Sequence, residues 1–175
     1  GCSERMGRWK SVLPFRGSTM VETVVTVALA ACARVILVTG YRGDELAALF
    51  AGEPRVTVVH NPSWELGMFS SIQRGAAAVS TPRHFVQLAD MPFVSLSVYG
   101  SLIEASEADF VFPVRGGERG HPVLIGPRAL EAVLAADAGT GSMKEIARRL
   151  TAVEVPWSDD AVLKDVDRPA DLADG

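Results

Sequence analysis

The sequence predicts an α/β domain with a mostly parallel central sheet, and two observations support this. Short runs rich in valine and isoleucine alternate along the chain with segments that have helical spacing. Such alternation is typical of a sheet covered by helices on both faces. The chain has 175 residues, of which 48% are apolar and 22% charged, and this suits one domain over residues 1–175.

The elements can be predicted in order. The stretch MVETVVTVALAACARVILVTG is interrupted by Glu22 and Arg34, so it does not suit a membrane span of about 20 apolar residues. It predicts a buried helix from about residue 20 to 31 that leads into a β-branched strand closed by Gly40. Glycines bound the next helix, and a proline begins a later one. The predicted strands are 34–40, 55–61, 84–90, 108–114, 121–126, 151–157 and 163–169; the predicted helices are 43–52, 68–79, 95–106, 127–136 and 142–150, with a last helical turn near the C terminus.

Charge and cysteine content exclude some classes of protein. The formal net charge is −4, whereas a nucleic-acid binder usually has a basic face. Cys2 and Cys32 form neither a CxxC motif nor a disulfide framework. No signal peptide is predicted. We therefore expect a cytoplasmic protein that binds neither nucleic acid nor membrane.

Ligands of such sheets bind beyond the carboxyl ends of the strands. The polar or glycine positions that end or follow predicted strands are therefore candidates for one common site. These positions are Gly40, Asn61, Asp90, Asp165 and Asp167.

The opening segment GCSERMGRWK is polar, basic and spaced by glycines. Its backbone amides could form an anion-binding concavity, with Ser3 in the loop and with Arg5 and Lys10 supplying positive charge. The spacing is neither GxxxxGK[ST] nor GxGxxG, and a surface loop with scattered arginines explains the residues equally well.

Five sequence blocks, in order, resemble one family. GCSERMGRWKSVLP resembles the GxSxRMGxxKxLLP signature of nucleotidyltransferases similar to molybdenum-cofactor cytidylyltransferase. NPSWELGMFSSI, QLADMPF, GHPVLIG and DVDRPADL resemble its later motifs. Ala89 stands where the family usually has glycine and Arg168 where it has threonine, but the carboxylates remain.

The resemblance implies a three-layer, Rossmann-like nucleotidyltransferase fold of the nucleotide-diphospho-sugar transferase type. It also implies that the family's first strand precedes Gly1, and we expect that strand to be missing from this sequence. The opening loop would then bind the nucleotide through Gly1, Cys2, Ser3, Gly7 and Lys10, with Arg5 and Lys10 also catalytic.

A magnesium ion is the expected cofactor, because Mg²⁺ is usually held by one or two carboxylates together with phosphate oxygens. Asp90 follows a strand and precedes a proline, which suits a metal ligand but also a turn or helix-cap aspartate. Asp165 and Asp167 share one face of an extended segment. Repulsion between them favours a cation, although solvation at an edge is an alternative. The resemblance favours Asp90 as catalytic and all three as metal ligands.

The resemblance assigns nucleotide contacts to the region of Asn61, Ser70 and Ser71. Ser71 could instead cap the helix that begins there. Gly40 would leave room for a ligand at its strand end, although a strand-to-turn glycine is an equal explanation.

The acceptor substrate is expected near RGGERGHP. Arg115, Arg119 and His121 would then face an anionic acceptor, and a flexible surface hairpin is the alternative. A phosphate monoester is largely ionised at pH 7, so such a nucleophile needs no general base.

These expectations describe a Mg²⁺-dependent transfer of CMP from CTP to the terminal phosphate of a molybdopterin-type cofactor, with a molybdoenzyme as a further partner. One alternative is a relative that uses GTP or a sugar- or alcohol-phosphate acceptor. Trp9, where guanylyl relatives tend to have Asp, favours CTP. The other alternative is a non-catalytic nucleotide-binding protein for molybdoenzyme maturation.

Overall fold

Helix α1 begins at a complete capping box formed by Thr19 and Glu22. The Thr19 side chain accepts a hydrogen bond from the Glu22 amide, and the Glu22 carboxylate accepts one from the Thr19 amide. In this computed structural model, which describes residues 13–167 and Asp171, the helices are α1 (Met20–Ala31), α2 (Gly43–Leu49), α3 (Met68–Ala76), α4 (Leu96–Ala105), α5 (Pro127–Ala135) and α6 (Met143–Ala147). Short 3-10 helices span Trp64–Leu66 and Asp160–Val162.

The strands form three groups. They are β1 (Pro14–Phe15), β2 (Ser18–Thr19), β3 (Val35–Thr39), β4 (Val56–His60), β5 (His84–Val86), β6 (Phe110–Arg115), β7 (Glu118–Arg119), β8 (Val123–Ile125) and β9 (Ala152–Pro156). The β3–β4 and β6–β9 ladders are parallel, with five residue pairs each. Strand β8 is antiparallel to both β5 and β6, so the pairing is less parallel than the alternation predicted.

Alternating side chains of the central strands enter two separate cores. Val111 and Leu124 pack with Val98 and Leu102 of α4 on one face. On the other face, the β6 and β8 side chains pack against α5 and α6; these are Phe110, Phe112, Val123 and Ile125. Helices therefore cover both faces of the sheet, as the sequence predicted.

Two local predictions were wrong or incomplete. Residues 163–169 were predicted to form a strand, but 164–167 are irregular and follow the 3-10 helix that Asp159 caps through the Ala161 amide. The β1–β2 hairpin was not predicted, because two-residue strands are too short for an alternating pattern. Strand β5 is also shorter than expected, and residues 87–90 lie beyond it.

Among the helices at residues 13–167, none is long and apolar enough to cross a membrane.

Candidate active site

A backbone hydrogen bond joins the two acidic segments predicted to hold a metal. The Val166 amide donates to the Asp90 carbonyl over 2.8 Å. Val166 is fully buried, while Asp165 and Asp167 on either side of it are exposed. Because alternate residues of an extended segment face opposite ways, the two carboxylates project from the side opposite to Val166. The structure thus brings together Asp90, Asp165 and Asp167, which lie 75 or more residues apart in the sequence.

The first described residues are anchored at the same place. Phe15, Met20 and Val166 form one buried cluster against which Phe93 packs. The Phe15 and Phe93 rings meet edge to face with centroids 5.4 Å apart. The segment that follows the opening loop therefore lies against the segments that contain Asp90 and Val166. The predicted loop residues Gly1, Cys2, Ser3, Arg5, Gly7 and Lys10 lie outside the described part of the chain.

Asp90 lies in a turn and does not cap a helix, since Ser95 is the N-cap of α4. Asp90 and Asp167 each have an interaction partner. In the described part of the chain, no group of three or more His, Cys, Asp or Glu residues is arranged to hold a metal ion. A metal here would accordingly depend on one or two carboxylates and on oxygens of a bound substrate.

His121 lies beside Asp90. Its amide donates to the Val162 carbonyl over 2.8 Å, and its Nδ1 lies 3.4 Å from the Val86 carbonyl oxygen. Burial lowers the pKa of His121 below its usual value, and the Val86 carbonyl and the Asp90 charge offset part of that effect. Neutral imidazole is therefore the expected form of His121 at pH 7.

Gly120 explains why His121 can sit so close to the segment before Asp165. A Cβ on Gly120 would collide with the Val162 carbonyl oxygen, so only glycine lets the two backbones approach this closely.

The two arginines predicted to face the acceptor bind carboxylates instead. Arg115 Nε donates to Asp160 over 2.8 Å, and Arg119 Nε donates to Glu154 over the same distance. Arg119 also lies over the Phe112 ring, 4.5 Å from its centroid. Both residues flank the β6–β7 turn, which is the surface hairpin considered as an alternative. To bind an anion, each would have to exchange its present partner.

Sequence reasoning did not identify Lys164. Its Nζ lies 4.4 Å from the centroid of the Phe93 ring, three residues after Asp90, and it has a further interaction. A lysine directly before an acidic pair was the available signal, but its contact with Phe93 joins positions 71 residues apart.

Asn61, Ser70 and Ser71 are brought together, but they bind one another. Asn61 is 3% exposed, and its amide nitrogen donates to both serine hydroxyls over 3.0 Å. The Asn61 oxygen accepts from the Ser63 amide, and Ser70 donates to the carbonyls of Ser63 and Gly67. The capping role considered for Ser71 was wrong, because Gly67 is the N-cap of α3.

The space beside Gly40 is filled by a side chain. A Cβ on Gly40 would lie 2.6 Å from the Trp64 Cβ. The room that the sequence suggested for a ligand therefore accommodates Trp64.

Comparisons with known proteins agree with this architecture. Residues 1–155 match the family model described as the MobA-like NTP transferase domain. Molybdenum cofactor cytidylyltransferase of Escherichia coli (strain K12) is 36% identical over 125 residues, which are 71% of this chain and 65% of that protein. Nicotine blue oxidoreductase of Paenarthrobacter nicotinovorans is 31% identical over 185 residues, covering 95% of this chain and 88% of that protein.

Solved structures share the fold. The crystal structure of Rv0371c from Mycobacterium tuberculosis H37Rv has a TM-score of 0.82 at 22% identity, and covers 99% of this chain and 92% of that one. The structure of molybdopterin-guanine dinucleotide biosynthesis protein A from Archaeoglobus fulgidus has a TM-score of 0.74 at 18% identity, with coverage of 99% and 92%. The predicted nucleotidyltransferase fold is confirmed.

Proposed function

Because this chain belongs to the MobA-like NTP transferase domain family of nucleotidyltransferases, we propose that it transfers CMP from CTP to the terminal phosphate of a molybdopterin-type cofactor. The observation that supports this most directly is the hydrogen bond from the Val166 amide to the Asp90 carbonyl, which brings two acidic segments together. The acceptor phosphate oxygen bonds to the α-phosphorus of CTP. The bond from the α-phosphorus to the bridging oxygen of the β-phosphate breaks, and pyrophosphate leaves with that bond's electron pair.

A divalent metal, Mg²⁺ in this proposal, is held by Asp90 together with Asp165 or Asp167. The site fits such an ion because exposed carboxylates flank a segment whose backbone is fixed against Asp90. When bound, Mg²⁺ screens the charge on the triphosphate and on departing pyrophosphate. The metal preference for one or two carboxylates plus phosphate oxygens matches this set.

The cations of the opening loop complete the nucleotide site. Gly1–Lys10 would hold the triphosphate through backbone amides, and Arg5 and Lys10 would neutralise charge on the leaving group. Support comes from the residues that follow this loop, since Leu13 is buried and Phe15 packs against Phe93 and Val166.

His121 has a positioning role in this proposal and is not a general base. Its pKa lies below the usual value because the ring is buried, so it is neutral at pH 7 and can donate or accept one hydrogen bond. An acceptor phosphate that is already ionised needs orientation and charge screening more than proton removal.

Two named relatives bear on the choice of nucleotide. The cytidylyltransferase is 36% identical, while molybdenum cofactor guanylyltransferase of Xanthomonas euvesicatoria pv. vesicatoria (strain 85-10) is 31% identical over 107 residues, or 61% of this chain. Trp9 in place of the Asp usual in guanylyl relatives also favours CTP.

The test measures pyrophosphate release by the wild type and by Asp90→Asn, with Mg²⁺, the pterin acceptor and each of the four nucleoside triphosphates in turn. We expect release with CTP, and a loss of at least 100-fold in the variant, because removal of a metal-binding charge weakens stabilisation of the leaving group. Asp44→Asn, an exposed position in the first turn of α2, is the control and should be unchanged. Turnover by Asp90→Asn at the wild-type rate would refute the role of Asp90.

A redox function is a second candidate, because the relative that covers 95% of this chain is named an oxidoreductase. The same assay separates the two. A redox enzyme, or a non-catalytic nucleotide-binding protein, would release no pyrophosphate with any of the four nucleotides.

A further inference from the structure

Four large side chains form an exposed apolar surface at one end of the β3–β4 pair. We call Tyr41, Trp64, Leu66 and Met68 the aromatic platform. Tyr41 is 53% exposed, Leu66 54% and Met68 61%. The Tyr41 and Trp64 rings have centroids 6.0 Å apart and are tilted by 54°. The two rings therefore lie side by side, and neither covers the face of the other.

The platform lies at the end of the sheet where ligands of α/β folds bind. Strands β3 and β4 are parallel; Tyr41 follows β3 by two residues, and Trp64 follows β4 by four. Ala89, directly before Asp90, packs against the cluster that contains Leu37 of β3. Carboxyl ends of parallel strands share one edge of a sheet, which is the usual ligand edge.

The platform is held in place from below. Trp64 lies against Gly40, where any Cβ would collide with it. The buried Asn61 amide joins the Ser63 amide to the hydroxyls of Ser70 and Ser71, which fixes the loop that carries Trp64 and Met68. Rings held in one orientation lose little conformational entropy when a ligand binds.

We propose that the aromatic platform stacks against the fused heteroaromatic ring system of the acceptor substrate, while the acceptor phosphate lies toward Asp90. This rests on the proposed function and names the part of the substrate that these side chains bind. Centroids 6.0 Å apart, with a ring radius beyond each, offer a width of roughly 10 Å, which suits a fused bicyclic or tricyclic ring better than a single pyrimidine.

The chemistry of the platform also favours the acceptor over the nucleotide base. Choosing one base needs polar groups that recognise its edge, and binding the wrong base must leave such groups unpaired. The Asn61, Ser70 and Ser71 side chains are already bonded to one another, so this loop presents mainly aromatic and aliphatic surface. Such a surface binds a flat ring without reading its edge.

The experiment uses the full chain and a free pterin that carries no phosphate, and follows binding by quenching of pterin fluorescence. We expect Tyr41→Ala to weaken pterin binding about 3- to 10-fold, as loss of one aromatic contact predicts, and Tyr41→Phe to retain it. Leu134→Ala removes an exposed apolar side chain on α5 and is the matched control. Absence of pterin binding by the wild type, or equal binding by Tyr41→Ala, overturns the proposal.

Kinetics separate the acceptor from the base. In the pyrophosphate assay, Tyr41→Ala should raise KM for the acceptor and leave KM for the nucleotide unchanged. A rise in KM for the nucleotide alone would assign the platform to the base and overturn the proposal. If the wild type releases no pyrophosphate, the proposed function fails, and the pterin-binding measurement still decides whether the platform binds a fused ring.

Discussion

At the scale of single residues, glycine-to-alanine substitutions test which close contacts the fold requires. Gly40→Ala should lower the free energy of unfolding by about 1–3 kcal/mol, because the new Cβ would lie 2.6 Å from the Trp64 Cβ and displace it. Urea denaturation measures the change. Gly100→Ala is the matched control: its Cβ would meet nothing within 4 Å in the exposed interior of α4, so we expect stabilisation of about 0.5–1 kcal/mol. Equal stability of Gly40→Ala and the wild type would contradict the close packing.

Residue types indicated the site better than they indicated its contacts. The family motifs singled out Asp90, Asp165 and Asp167, and the fold brings those segments together. The mutual hydrogen bonds of Asn61, Ser70 and Ser71, and the carboxylate partners of Arg115 and Arg119, could not be predicted. The sequence shows that a side chain is polar, but only the fold determines whether its bonding capacity is used internally.

At the scale of elements, Val166 holds the last acidic segment in position. Val166→Ala should cost about 1–3 kcal/mol of stability because it opens a cavity beside Phe15 and Met20. It should also lower kcat for pyrophosphate release at least 10-fold, since a small displacement of a metal-binding carboxylate is costly. Val133→Ala removes an equally buried side chain in the α3–α5 cluster and should lose similar stability without that loss of rate. Equal rates for the two variants would remove the positioning role of Val166.

Helices with clear apolar spacing were predicted correctly within a few residues, and so were the strands at 35–39, 56–60 and 110–115. The final segment was wrongly predicted as a strand because its alternation arises from one buried valine between exposed aspartates. That valine packs against Phe15 and Phe93, and its amide bonds Asp90 without joining a ladder. Alternating burial alone does not distinguish such an anchored segment from a strand.

At the scale of the whole molecule, the three layers depend on tertiary pairing that local patterns do not encode. Strand β8 lies between β5 and β6, and both of its neighbours run antiparallel to it. Alternating strands and helices predicted parallel pairing because a helix usually returns the chain to the same end of the sheet. The β6–β7 turn instead reverses the chain, and Gly120 lets the reversed chain pass against Val162 on its way into β8.

Burial of a histidine in this sheet makes the stability of the whole domain depend on pH. Burial lowers the pKa of His84 to about 4, and both of its ring nitrogens are buried without a hydrogen-bond partner. Between pH 6.5 and about 4 the unfolded chain binds a proton at this residue that the folded chain does not. The contribution of His84 is therefore fully present above pH 6.5 and is lost as the pH falls, by about 2 kcal/mol after allowance for partial exposure. Urea denaturation at several pH values between 7 and 4 should show a shallower decline for His84→Leu than for the wild type. Because Glu22 and Asp109, whose pKa values are lowered by hydrogen bonds to Thr19 and Thr151, titrate in both proteins, the difference between the two curves isolates His84. His60→Gln, an exposed position at the end of β4, should follow the wild-type curve, and parallel curves for His84→Leu and the wild type would show that the buried imidazole does not govern this dependence.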